Sequence, residues 1–182
     1  CGNQKAAAVV CKWKMENDKW KILVCPLSGV DTEKFRPDIS SSWRDKLKIG
    51  EDDKIILFYG ALERRKGLNV LIDAFNKLQI MNRGPITKLV IIGTGPEKDS
   101  LKLQALGCGL QVNIVFLDWM SNDELPALLN TSNVFVYPSV PLGGWEEQFG
   151  YAMAEASACE VPVVATKTGS IDEVIANNKS GI

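Results

Sequence analysis

The 182 residues contain no histidine, which removes Ser-His-Asp and Cys-His nucleophile pairs and His-ligated metal sites from consideration. Cysteine is sparse and odd in number: Cys1, Cys11, Cys25, Cys108 and Cys159 are scattered, without paired metal-ligand spacing. That pattern suits reduced thiols in a cytoplasm better than a secreted disulfide framework. No apolar run approaches the ~18 residues a membrane-spanning helix needs, and Ala6 to Cys11 is among the longest. An excess of either charge is missing too. With 21 basic and 22 acidic residues the formal charge is -1, so no bulk field draws nucleic acid or an anionic membrane. What remains is ordinary globular composition, 46% apolar and 24% charged, which excludes disorder, collagen and coiled coil for the whole chain. At one domain per ~100–200 residues, the length predicts one domain, or one with a piece of another. The chain begins without Met and stops at Ser180-Gly181-Ile182, which reads as the start of a strand, so a fragment is expected.

Residues 1–25 have weak periodicity, with a short strand expected over Lys21 to Cys25. Pro26 to Pro37 reads as a linker leading into a domain, with Ser28-Gly29 as a turn signal. Beyond Asp53 the pattern becomes regular. Continuous apolar runs at Lys54–Tyr59, Lys88–Ile92, Val112–Leu117, Val134–Tyr137 and Val161–Ala165 predict strands buried on both faces. Between them lie helical patterns. Leu68 to Leu78 has a stripe of Leu68, Leu71, Ile72, Phe75 and Leu78, and Lys98 to Leu106 has Leu101, Leu103 and Leu106. A helix opening at Asn122-Asp123-Glu124 would bury Leu125, Leu128 and Leu129. Gly150–Ala158 and Ser170–Ala176 give two more, the last with Ser170 as its cap. Repeated strand–helix alternation predicts an α/β doubly wound, Rossmann-like parallel sheet.

In such a sheet, ligands bind outside the carboxyl ends of the strands, which directs attention to residues 60–67, 93–96, 117–122, 138–150 and 166–170. The first loop, GALERRKG, sets three cations before a helix N-terminus that is itself partly positive. An arriving phosphate would relieve that arrangement; a solvated basic loop is the plain alternative. Gly93-Thr94-Gly95 follows a strand, but Lys98 occupies the last glycine position of a dinucleotide fingerprint and Pro96 interrupts it, so a tight turn is the better reading. The richest segment is PSVPLGGWEEQFGYAMAEA, residues 138–156. Glu147 precedes a helix and Glu155 lies within it, so both can face one crevice. Glu146 and Glu147 could simply favour the helix dipole. Glu155, between Ala154 and Ala156, needs hydroxyl or N–H partners if buried, and a sugar diol is one such partner.

WEEQFGYAMAEASACEVPVVAT (145–166) resembles the E-x7-E signature of family 4 retaining glycosyltransferases of the GT-B fold, with Glu147 and Glu155 as the two glutamates. GVDTEKFRP (29–37) resembles the segment by which that family passes into its C-terminal domain. KIILFYGALERRKGLNVLIDAF (54–75) resembles its strand, basic loop and first helix, with Lys66-Gly67 as the Lys-Gly pair. TKLVIIGTGPEKDSL (87–101) and NIVFLDWMSNDELPALLNTSNVFVYPS (113–139) also fit in order and spacing. The likeness covers residues 29–182 almost continuously. It implies a nucleotide-sugar-binding C-terminal domain over 29–182, truncated at its end, with 1–28 as the tail of a missing N-terminal domain. Two positions depart from the pattern: Ala61 stands where the family usually has Arg, and Glu160 where it usually has Gly.

The resemblance implies transfer of a sugar from a nucleotide-diphosphate sugar to an acceptor hydroxyl, with retention at the anomeric carbon. Glu155 would hold the ribose hydroxyls and Glu147 hydroxyls of the donor sugar. Backbone N–H groups of Phe149, Gly150, Tyr151 and Ala152 would meet sugar hydroxyls and the distal phosphate. Lys66 would neutralise charge on the leaving diphosphate, Gly95 and Met120 would line the base pocket, and Arg64, ahead of Arg65, would replace the Arg missing at position 61. No metal and no cofactor beyond the co-substrate are expected, and nucleic acid is not a partner. Peripheral contact with a membrane is left to parts outside this chain. Other readings are a nucleotide-binding domain without independent activity, and a nucleotide-sugar epimerase, disfavoured by the lack of His.

Overall fold

The computed structural model describes residues 4–11, 23, 29–81 and 84–182. Five strands form one parallel sheet: β1 (Lys54–Tyr59), β2 (Thr87–Ile92), β3 (Ile114–Leu117), β4 (Val134–Tyr137) and β5 (Val163–Ala165). Its order is β3-β2-β1-β4-β5, so the chain builds outward from β1 on one side and then crosses to the other. The β1–β2 ladder runs from Lys54↔Thr87 to Tyr59↔Ile92, whereas β1 meets β4 at Ile56↔Val134 and Leu57↔Phe135. The reversal of winding falls between β1 and β4, and a crevice opens there at the strands' carboxyl ends.

The helices are α1 (Gln4–Cys11), α2 (Trp43–Lys46), α3 (Leu68–Met81), α4 (Lys98–Gly107), α5 (Leu125–Leu129), α6 (Tyr151–Ala158) and α7 (Ile171–Val174). The apolar runs are buried as strands because helices cover them: Ile55, Leu57, Phe58, Leu89, Val90 and Ile91 are fully enclosed. Helix α3 buries Leu68, Leu71, Ile72 and Phe75 as the spacing predicts, but Leu78 is 42% exposed. In α4 the buried pair is Leu101 and Ala105, one turn apart, while Leu103 and Leu106 face outward. A helix cannot turn 101, 103 and 106 to one side, and the small Ala105 is what lets α4 approach.

Other boundaries differ from the sequence reading for local reasons. Helix α5 starts at Leu125 rather than Asn122, because Pro126 is tolerated only in a first turn. Strand β5 starts at Val163: Pro162 has no N–H, and the Val161 N–H closes the end of α6 on the Ala156 carbonyl at 3.0 Å. Ser170 precedes α7, but its side chain makes no capping hydrogen bond. Gly181 bridges to Val163, and Ile182 exchanges hydrogen bonds with Val163 and Ala165, which continues the sheet past β5.

The expected strand over 21–25 lies outside the described residues, Leu23 excepted, as does the start of the linker. Residues 29–37 are docked on the domain: Phe35 is buried, and Asn130 Nδ2 donates to the Arg36 carbonyl at 2.9 Å. Helix α1 was not legible from periodicity; Lys5 Nζ lies 2.7 Å from Glu146. Among the described residues no helix is long and apolar enough to cross a membrane.

Candidate functional site

At the β1/β4 reversal lies a cleft of about 320 Å³, walled by the ends of both strands, the first turn of α6 and the loop after β3. Two tight approaches shape it. Gly67 takes a left-handed φ of 64°, and a Cβ there would fall 2.0 Å from the Pro138 carbonyl oxygen, so the loops after β1 and β4 touch backbone to backbone. The Val140 N–H donates to the Arg65 carbonyl at 2.8 Å across that contact. Gly169 is equally constrained, its would-be Cβ 1.9 Å from the Glu147 carbonyl oxygen. Further along, Gly143 and Gly144 have φ of 57° and 80° between the bridged Leu142 and Trp145. That is a two-residue hairpin turn, and it brings Trp145 back under Arg65.

Lys66 and Glu147 meet in the floor of the cleft, each 7% exposed, with Nζ 2.8 Å from Glu147 Oε2. The Tyr137 hydroxyl completes a triangle: it accepts from Lys66 Nζ and donates to the same Glu147 oxygen at 2.7 Å. Burial alone would raise the Glu147 carboxyl, but hydrogen bonds from Lys66 and Tyr137 and the Lys66 charge outweigh it and hold the group below its ordinary range. Such a carboxylate accepts hydrogen bonds and does not deliver protons. Burial first, then the bond to Glu147, pushes the Tyr137 phenol up.

Glu155, on α6, lines the same cleft and accepts from the Tyr59 hydroxyl. Beneath it Cys159 is buried, and burial together with the Glu155 charge pushes its thiol up to about 11. Gly150, in a left-handed conformation, precedes the first turn of α6, and no side chain caps that turn by a hydrogen bond. Gly150, Tyr151 and Ala152 all face the cleft.

The structure therefore brings together Lys66, Glu147, Gly150, Tyr151, Ala152 and Glu155. Phe149 is adjacent but turned into a ring contact with Tyr151, centroids 5.1 Å apart. Arg64 is exposed and lines a separate groove with Asn69, Glu97 and Gln104. Arg65 is paired with Glu63 at 2.5 Å and stacked 4.2 Å over Trp145. Met120 belongs to the apolar core. Gly95 is spent on packing: a Cβ there would lie 2.4 Å from the Leu62 carbonyl oxygen. The loop after β3 instead offers Trp119, 58% exposed, and Asn122. Sequence reasoning missed these two and both tyrosines. A polar-tipped aromatic closing an aliphatic strand at the winding reversal was the available signal.

Residues 40–182 match the family described as glycosyl transferases group 1. The chain belongs to that family. It is 35% identical over 156 residues to a GDP-mannose-dependent alpha-(1-6)-phosphatidylinositol monomannoside mannosyltransferase of Mycolicibacterium smegmatis, an alignment covering 84% of this chain and 40% of the relative. It is similar in structure to HepE of Anabaena in complex with UDP and glucose, with a TM-score of 0.72 and 25% identity over 85% of this chain and 40% of that one. It also resembles the C-terminal domain of LpcC, a glycosyl transferase group 1 family protein of Francisella tularensis. There the TM-score is 0.69 and the identity 29%, over 84% of this chain and 78% of that domain. The chain thus spans about 40% of the length of the curated relative from Mycolicibacterium. The fold is the Rossmann-like half of a GT-B glycosyltransferase.

Proposed function

We propose that this chain is the donor-binding half of a family 4 retaining glycosyltransferase, which moves a sugar from a nucleotide-diphosphate sugar to an acceptor hydroxyl. The observation that carries the reading is the convergence of Glu147, Glu155 and Lys66 on one cleft beside the uncapped start of α6. The match to an isolated C-terminal domain supports the assignment to the donor half, and HepE with UDP supports the ligand class.

In this reading Glu155 receives the ribose diol, and the first-turn N–H groups of α6 meet sugar hydroxyls and the distal phosphate. Glu147 meets the donor sugar with whatever valence its Lys66 and Tyr137 contacts leave. Lys66 faces the diphosphate, where negative charge grows as the bond to the anomeric carbon breaks and the phosphate leaves with the bonding electrons. The acceptor oxygen takes that carbon and its proton is released. Ala61 lines the cleft where the related pattern carries Arg, so among the described residues Lys66 is the sole cation lining the cleft, set against two glutamates. Weak binding of a free diphosphate by this half follows from that balance.

The test is product analysis: the protein, a nucleotide-sugar and an acceptor alcohol are incubated, and the new linkage is read by NMR. A product that keeps the donor's anomeric configuration supports the reading. An inverted product, an epimerised donor, or nucleotide binding with no transfer by a protein containing both halves contradicts it.

A further inference from the structure

We propose that Tyr59 is a positioning residue of the donor site: its hydroxyl anchors one oxygen of Glu155, so that the carboxylate is presented ready-oriented to the 2′,3′-diol of a bound nucleotide. This rests on the assignment of Glu155 to the ribose and adds a residue that the resemblance does not name.

Tyr59 is the last residue of β1, 5% exposed, at the point where the sheet's winding reverses. Its ring packs on Phe135 with centroids 5.2 Å apart and planes inclined at 54°, so the phenol is a fixed rod projecting toward α6. Two acceptors lie near its tip. The Ala152 carbonyl is 3.5 Å away, at the limit of a hydrogen bond, whereas Glu155 Oε2 is in close contact. A phenol has one proton, and an ionised carboxylate is the stronger acceptor. A phenylalanine at the end of β1 would pack against Phe135 equally well; the hydroxyl's partner is Glu155.

A glutamate has three rotatable bonds, and freezing them when a ligand arrives subtracts from affinity. Anchoring Oε2 to a rigid donor freezes them beforehand. Among the described residues no side chain donates to Oε1, on a residue that lines the cleft. A ribose diol carries two hydroxyl donors, and a carboxylate with one oxygen free and one half-used can accept both. Burial, and then the charge of Glu155, push the Tyr59 phenol far above its ordinary range, so it remains a donor throughout the working pH range.

UDP, GDP and ADP, each with its 2′,3′-dideoxy counterpart, are titrated into the chain by NMR, which reads dissociation constants into the millimolar range. Wild type is expected to prefer the ribonucleotide by about tenfold or more, the effect of at least one charge-assisted hydrogen bond. Tyr59→Phe should narrow that preference to about threefold or less while leaving the dideoxynucleotide within about twofold, which also shows that the variant is folded. Glu155→Gln serves as the reference and should remove most of the preference. An undiminished preference in Tyr59→Phe, or an equal loss for both nucleotides, overturns the inference and leaves the ribose assignment standing. Should wild type not distinguish the two sugars, or bind none of the nucleotides, the ribose assignment falls and takes the inference with it.

Discussion

Lys66 Nζ and Glu147 Oε2 sit 2.8 Å apart, both almost wholly buried, and share the hydroxyl of Tyr137. One partner comes from the loop after β1 and the other from the loop before α6, so the pair clamps the two walls of the cleft. Removing either leaves the other as a buried charge without its counter-ion. Lys66→Ala and Glu147→Ala are each expected to cost roughly 3–5 kcal/mol of stability. The double variant should cost clearly less than the sum, because the second change removes the orphan left by the first. Urea unfolding of the four proteins measures this. Strict additivity would mean that the pair is not coupled.

The same pair sets an acid limit. The Glu147 carboxyl is lowered in the fold, despite a burial effect that on its own would raise it. As pH falls, the unfolded chain is therefore the first to take up the proton, near the ordinary glutamate value of about 4.3. The pair's contribution is full above that value and is lost as pH drops through the lower folded value. Comparing wild type with Glu147→Gln, the stability gap should hold from neutral pH to about pH 5 and close in stronger acid. A gap that widens on acidification would reverse the assigned direction.

Glu160 offers a change that should stabilise. Its φ is 58°, in the left-handed region, just past the end of α6. The Glu160 N–H bonds the Ser157 carbonyl at 3.0 Å, and the Val161 N–H bonds that of Ala156 at 3.0 Å, the paired closure that glycine normally serves. Glu160 is exposed and forms no ion pair among the described residues. Glu160→Gly is expected to raise stability by about 1 kcal/mol, read as an upward shift in melting temperature. A fall would show that its side chain has a task the backbone geometry hides.

The cations of the basic loop separate by position. Arg64 faces another groove, so Arg64→Ala should leave affinity for a nucleoside diphosphate within about twofold. Ala61→Arg would place a guanidinium on the wall of the cleft, and a two-point contact with phosphate is expected to tighten binding by about tenfold. Calorimetry with UDP and GDP checks both. A loss in Arg64→Ala comparable to that of Lys66→Ala would mean that the exposed arginine swings into the cleft on binding.

Most of the sheet was legible because its strands are apolar runs, four of the five meeting a Gly or Pro at one end, and their alternation with helices implies a parallel sheet; the strand order, and with it the place of the winding reversal, needed the structure. Leu103 and Leu106 misled because an apolar residue on a short helix need not face the core; Ala105, too small to attract notice, does so instead. At the site, Glu147 was visible as a charge closing a Gly-rich and Pro-rich loop, Glu155 as a charge within an alanine-rich helix, and Lys66 through the Lys-Gly pair of the resemblance. Tyr59 and Tyr137 were hidden, since each closes an apolar strand and reads as core until the hydroxyl's partner is known. Arg64 could not be separated from Arg65 without the 3-10 turn over Arg64–Lys66 that sends neighbouring side chains in different directions.

The most direct measurement is a calorimetric titration of the chain and its Glu155→Ala variant with UDP-, GDP- and ADP-sugars. At least one donor should bind wild type, and Glu155→Ala should weaken it by about tenfold or more, the loss of a charged acceptor for the ribose. Binding of no donor, or equal affinity in the variant, would contradict the assignment of this cleft to a nucleotide-sugar.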